Sequence, residues 1–168
     1  MRDARIAMIY KGANGIQALD LVGRKLAQNG GRALQSFFTE VNTFCKENKD
    51  REDIGHLVRP VIQASNDLQG ATMWLMQNAM ANPDNAGAGS TDFMHCMGLV
   101  ALGYMWLKIA DAASTQLKAG ANGKTDFMEN KLTTAQFFME RVMPESSAHL
   151  ARIKTGSETM MSMPVEAF

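Results

Sequence analysis

The chain has 168 residues, 46% of them hydrophobic, which suits one domain with a core large enough to hold itself together. Lysine plus arginine and aspartate plus glutamate each count 17, so no basic excess offers nucleic acid or an anionic membrane a footprint. Two cysteines without C-x-x-C spacing, Cys45 and Cys96, lie inside apolar helical patterns and read as buried, reduced thiols.

In chain order, Met1, Arg2, Asp3 and Arg5 contain no apolar core segment, which reads as no secretory signal and a cytoplasmic chain. After a loop over Lys11–Gly15, Ile16, Leu19, Val22 and Leu26 recur at three- and four-residue steps, one face of a short helix. Asn29-Gly30-Gly31 ends it, because glycine enters the left-handed conformation cheaply. The next helix carries Leu34, Phe37, Phe38, Val41, Phe44 and Cys45 on one stripe, and the mixed charges from Lys46 to Asp53 read as a solvated turn. A third helix places Val58, Val61, Ile62, Leu68, Leu75, Met76 and Met80 inward, with Pro60 in its first turn or at a kink.

The run from Asn82 to Gly89 reads as a loop, with Ser90, Thr91 or Asp92 capping a fourth, long helix. That helix points Met94, Met97, Ala101, Leu102, Met105, Trp106, Ile109 and Leu117 inward, and Gly98 with Ala101 would admit a close neighbour. Its most apolar stretch, Met94 to Ala113, is interrupted by His95, Lys108 and Asp111, so it reads as a core helix and not a membrane span. Gly120 to Gly123 breaks the pattern, Thr125 or Asp126 caps a fifth helix, and Pro144 opens a segment from Glu145 to Lys154. No strand alternation or internal repeat is visible. The pattern predicts an all-α antiparallel helical bundle, with the 14 methionines as gap fillers in its core.

Two sets of residues carry a family resemblance. Arg2-Asp3-Ala4-Arg5-Ile6, then Ile9-Tyr10-Lys11-Gly12-Ala13 and Ile16-Gln17, resemble the last active-site loop of acyl-CoA dehydrogenases. Leu102 to Trp106, Phe127 to Leu132, Ala135 to Phe138, Met143-Pro144-Glu145 and Ile153 to Gly156 resemble the helical domain appended to long bacterial members. Those members include enzymes similar to 3-methylmercaptopropionyl-CoA dehydrogenase. The resemblance implies two parts: residues 1–28 as the end of the catalytic helical domain, and residues 29–168 as the appended acetyl-CoA dehydrogenase-like C-terminal bundle. It also implies a parent enzyme that uses FAD to desaturate acyl-CoA thioesters, assembles as a homo-oligomer and hands electrons to electron-transfer flavoprotein.

On that resemblance Lys11 occupies the position of the family's glutamate base. An ammonium at neutral pH cannot accept a proton unless burial lowers its pKa by several units. Gly12 matches the glycine that approaches the thioester, and Ala13, Asn14 and Gly15 match the stretch that touches flavin. In the isolated chain residues 10–15 read as a turn opening a helix, so this piece is expected to hold no cofactor and to catalyse nothing alone. Its partners are then the remainder of the dehydrogenase or a second subunit, and neither nucleic acid nor membrane. The alternative is a stand-alone, non-catalytic helical interaction module, with Lys11 marking the loss of catalysis.

The remaining polar pairs have structural readings. Asp53-x-x-His56 and Asp92-x-x-His95 put a carboxylate and an imidazole on one helical face, as di-iron bundles do. Both aspartates fall at expected helix starts, where capping accounts for them, and too few further carboxylates are available, so no metal site is expected. His149 with Glu145, four residues apart, reads as a surface pair.

Overall fold

The computed structural model describes residues 13–167, and every element among them is helical. Helix α1 spans Ala13–Asp20 and runs into a wide π turn, Leu21–Lys25, in which the Leu26 amide reaches back to the Leu21 carbonyl at 2.9 Å. Then come α2 (Arg32–Asn48), α3 (Gly55–Asn78), α4 (Asp84–Lys118), α5 (Thr125–Arg141), α6 (Glu145–Lys154) and a short α7 (Glu158–Met161). The all-α class is as the sequence predicts. Asn29, Gly30 and Gly31 turn the chain into α2 with φ of 52°, 68° and 73°, the left-handed geometry those residue types tolerate.

Helix α4 is the axis of the fold. At 35 residues it is about 52 Å long, and α1, α3, α5 and α6 all pack against it, while α2 lies on α3. Its length and composition would let it cross a membrane, but 44% of its most apolar window is buried inside the bundle. The core it organises contains Phe93, Cys96, Val100 and Leu107 of α4, Val58, Val61 and Leu68 of α3, Met139 and Met143 around α5, and Ile153 of α6. Each large side chain buried this way contributes about 1.5–3 kcal/mol.

Several expectations are corrected. The segment from Asp84 to Gly89 is the first turns of α4 and not a loop. The Asn82 side-chain oxygen accepts the Asp84 amide at 3.1 Å, and Gly89 lets α4 lie against Leu75 and Ile153. Ser90 and Asp92 are therefore helix-interior residues, and Ser90 donates back to the Gly87 carbonyl. Part of the α4 stripe predicted to be inward is as expected, with Met97 and Trp106 packed against the core, but Leu102 is 54% exposed, Met105 46% and Ile109 37%. The buried face is displaced by one to two residues along the helix, because α4 is apolar on both sides and periodicity alone cannot choose between them. Close approach comes from Gly103 and not Gly98: a Cβ at Gly103 would lie 2.7 Å from Met143 Sδ and 3.2 Å from Val61 Cγ2, whereas nothing lies within 4 Å at Gly98.

Met76 and Met80 of the α3 end are also exposed, not inward, as are Ile16 and Leu19 of α1. Pro60 stands six residues into α3, past its first turn, and the exposed His56 leaves the unbonded carbonyl to solvent. Neither Thr125 nor Asp126 caps α5, whose preceding residue is Lys124 without a side-chain cap bond. The tail is fastened to the α3–α4 corner: the Ser157 amide donates to Asn85 Oδ1 at 2.9 Å, and Asn82 Nδ2 donates to Ser157 Oγ at 3.2 Å.

The two α4 glycines give a test of this packing. A methyl at Gly103 would crowd the buried Met143 thioether and Val61, so Gly103→Ala should cost about 1–3 kcal/mol in chemical denaturation. Gly98→Ala, in open space within a helix, should instead stabilise by about 0.5–1 kcal/mol.

Candidate functional site

The residues that the family resemblance selects stand at the start of α1. Lys11 and Gly12 lie outside the described residues. Ala13 is half-buried, Asn14 and Gly15 are exposed, and nothing comes within 4 Å of the Cβ position at Gly15. This small-residue opening leaves space on the α1 surface around Gly15. None of these three residues lines a described cavity.

Beyond the other end of α1 runs an apolar groove of about 540 Å³. The π turn supplies Val22 and Leu26, α2 supplies Leu34 and Phe38, and the α3 end supplies Leu75, Met76 and Met80. Of its two polar side chains, Gln35 is exposed and Thr72 already donates to the Leu68 carbonyl at 2.8 Å. Such a groove gains free energy by being covered and offers no fixed polar group to orient a reacting molecule.

The chemistry-bearing side chains are committed elsewhere, in three carboxylate-centred ties. Asp53, expected to cap a helix within a solvated turn, is partly buried and receives Arg51, Ser114 and Lys118, while Arg51 also binds Asn48 and Asp111. These bonds join the α2–α3 connection to the far end of α4. The Arg51 guanidinium, then Lys118 and Ser114, hold the Asp53 carboxyl well below its usual range, and Asp53 with Asp111 holds Arg51 above its own.

Asp67 of α3 accepts Ser146 and Ser147 of α6 at 2.7 and 2.9 Å and Gln63 at 3.0 Å. Asp92 of α4 takes His149 Nδ1 and Arg152 Nε of α6, each at 2.7 Å. Burial, which raises the Asp92 carboxyl, is outweighed by the hydrogen bonds and charges of His149 and Arg152, so it titrates below its ordinary value. His149 is thus a buried partner of Asp92, not a surface partner of Glu145, and it stacks on His95 with ring centroids 5.5 Å apart.

Among the described residues this arrangement serves packing. The α6 serine hydroxyls donate to Asp67 and not to His149, so serine, histidine and aspartate do not form a relay. Burial raises the Cys45 thiol to about 11; burial with the charges of Asp67 and Asp92 raises Cys96 to about 12. Neither presents a thiolate at neutral pH. Among the described residues no histidine, cysteine, aspartate and glutamate group is placed to hold a metal ion.

The helical framework matches the family described as acetyl-CoA dehydrogenase C-terminal like, over residues 37–164. The chain belongs to this family. It is 32% identical over 162 residues to 3-methylmercaptopropionyl-CoA dehydrogenase of Ruegeria pomeroyi, covering 96% of this chain and 27% of that protein. It is 27% identical to broad-specificity linear acyl-CoA dehydrogenase FadE5 of Mycobacterium tuberculosis, covering 100% of this chain and 29% of the relative. A butyryl-CoA dehydrogenase of Syntrophomonas wolfei matches at 26% identity, over 99% and 28% respectively. The chain therefore spans less than a third of the length of these relatives, and what it matches is their C-terminal part.

Sequence reading found the family and missed the ties that hold this C-terminal domain together. A signal for one was present: Asp111, Ser114 and Lys118 are spaced to share one face of α4, although nothing in the sequence points to Asp53 as their common partner. A carboxyl depressed in the fold stabilises it above the unfolded value of 3.8 and loses that contribution as pH falls. Stability should therefore drop on acidification below about pH 4. Asp53→Asn should cost about 1–3 kcal/mol at neutral pH and flatten the acid slope, as denaturant titrations at pH 7 and about pH 3 would record.

Proposed function

We propose that this chain serves as the C-terminal packing domain of an FAD-dependent acyl-CoA dehydrogenase, completing the flavin site and docking on the rest of the enzyme without catalysing alone. The family match over residues 37–164, to the C-terminal part of relatives more than three times as long, carries this reading. The open start of α1 supports it. Asn14 and Gly15 are exposed and the Cβ position of Gly15 is open, which leaves room for a polar edge of a flavin nucleotide.

The flavin, when bound, supplies the hydride acceptor for desaturation of an acyl-CoA thioester. This chain's own part is narrower: Ala13, Asn14 and Gly15 position one edge of that cofactor, and Gly12 approaches the thioester. The apolar groove that follows α1 gives the upstream portion of the enzyme a surface to cover, in keeping with a division into residues 1–28 and 29–168. The parent so assembled is a cytoplasmic homo-oligomer of fatty acid metabolism that passes electrons to electron-transfer flavoprotein.

Lys11 favours a second reading, a stand-alone helical interaction module, because lysine at the base position removes the proton acceptor. The two readings part on upstream coding sequence in frame with Met1, and on one measurement. The purified chain should retain no flavin after gel filtration, since a single short loop buries little of such a ligand; stoichiometric FAD on the chain alone would sink the packing-domain reading. In the assembled enzyme Lys11→Glu should raise the desaturation rate by ~10²–10⁴, the usual worth of general-base catalysis. No change would place the base elsewhere.

A further inference from the structure

The tie between α4 and α6 contains a conflict. His149 Nδ1 lies 2.7 Å from Asp92 Oδ1 and also 2.7 Å from Arg152 Nη2. A ring nitrogen of neutral imidazole either donates or accepts, and both nitrogens of imidazolium only donate. Asp92 can only accept and Arg152 can only donate, so Nδ1 satisfies one of them at a time. Where the ring carries its protons decides which.

We propose that this clamp is a proton-operated switch, in which His149 exchanges Arg152 for Asp92 as its partner when the ring takes up a proton. In the neutral ring, with its hydrogen on Nε2, the Nδ1 lone pair accepts from Arg152 Nη2. Arg152 Nε meanwhile donates to Asp92 Oδ1 at 2.7 Å, so the guanidinium bridges ring and carboxylate. Protonation puts a hydrogen on Nδ1, which becomes a charge-assisted donor to Asp92 and collides with the Nη2 hydrogens. The guanidinium fork is planar and rigid, so Arg152 cannot withdraw Nη2 alone. It leaves as a unit, into solvent that it already reaches: its side chain is 55% exposed, against 11% for His149.

The groups around the ring keep the clamp closed during this exchange. Helices α4 and α3 are the two that pack on α6. From α4, Asp92 supplies the anion, and the exposed His95 stacks its ring on that of His149 with freedom to turn outward. From α3 comes a second carboxylate, Asp67, occupied by Ser146, Ser147 and Gln63. On α6 itself, Glu145 stands exposed one turn before His149. An imidazolium facing these carboxylates stays paired after the arginine has gone. Proton uptake thus hands a guanidinium to solvent without opening the bundle. Imidazole is the side chain that ordinarily changes charge between about pH 5 and 8, above the range in which Asp53 loses its effect. The switch is independent of the chain's place in a larger enzyme.

Nitrogen-15 NMR tests it in the chain carrying His56→Gln and His95→Gln, which leaves His149 as its single imidazole. Both replaced residues are exposed, so the fold is kept. At about pH 8 the ring should be the Nε2–H tautomer. Adding Arg152→Met, which keeps an apolar stem and removes the donor, should turn it into the Nδ1–H tautomer bonded to Asp92. Lowering the pH to about 5 without that change should protonate both ring nitrogens. The Arg152 Nε–H order parameter should then fall from the rigid range near 0.85 to below about 0.6, with helical content unchanged. Four results would each overturn the proposal: Nδ1 protonated at the upper pH, a tautomer indifferent to Arg152→Met, an Arg152 that stays ordered once the ring is charged, or a ring that takes no proton until the helices melt.

Discussion

The fold depends on α4 being apolar around most of its circumference. A helix with one apolar stripe can lie on the surface of a bundle, but one with two has to be surrounded. Four other elements meet this demand by packing along its length, and their own apolar stripes need only face inward. The same property that makes α4 the axis leaves its outer face uncovered in a single chain. Core stability and exposed apolar surface thus have one source.

Hydrophobic burial is non-directional and does not by itself fix how helices slide or rotate on that axis. The three carboxylate ties supply direction. Asp53 holds the α2–α3 connection to one end of α4, Asp92 holds α6 nearer the other, and Asp67 draws α6 onto α3. Among the described residues no buried side-chain nitrogen or oxygen lacks a partner, so these polar groups carry little desolvation penalty. Charged and hydroxyl side chains that resemble catalytic parts in a residue inventory are here spent on geometry.

The fold class, the order of the long helices and the turn at Asn29-Gly30-Gly31 were legible in the sequence because they rest on local signals. Helical spacing and left-handed turn chemistry need no knowledge of neighbours. The inner face of α4 was not legible, since Leu102 and Met105 fit the same period as Phe93, Val100 and Leu107. The start of α4 was hidden by Gly87 and Gly89, which look like loop residues until Leu75 and Ile153 are seen against the helix. The role of His149 was out of reach: its partner Asp92 is 57 residues away, and the local rule pointed to Glu145. At the family loop, the sequence named Ala13, Asn14 and Gly15, and the exposure of Asn14 and Gly15 on α1 is what the fold adds.

The clasp between Ser157 and the two asparagines spans 72 and 75 residues of sequence. A bond across such a separation forms only after the α3–α4 corner exists and α6 has seated, so it closes late in folding and adds little to the nucleus. Interactions absent from the folding transition state act mainly by slowing unfolding. The tail beyond Gly156 is then a kinetic device as much as a thermodynamic one. It lengthens the lifetime of the folded bundle while leaving the speed of reaching it to the helices around α4.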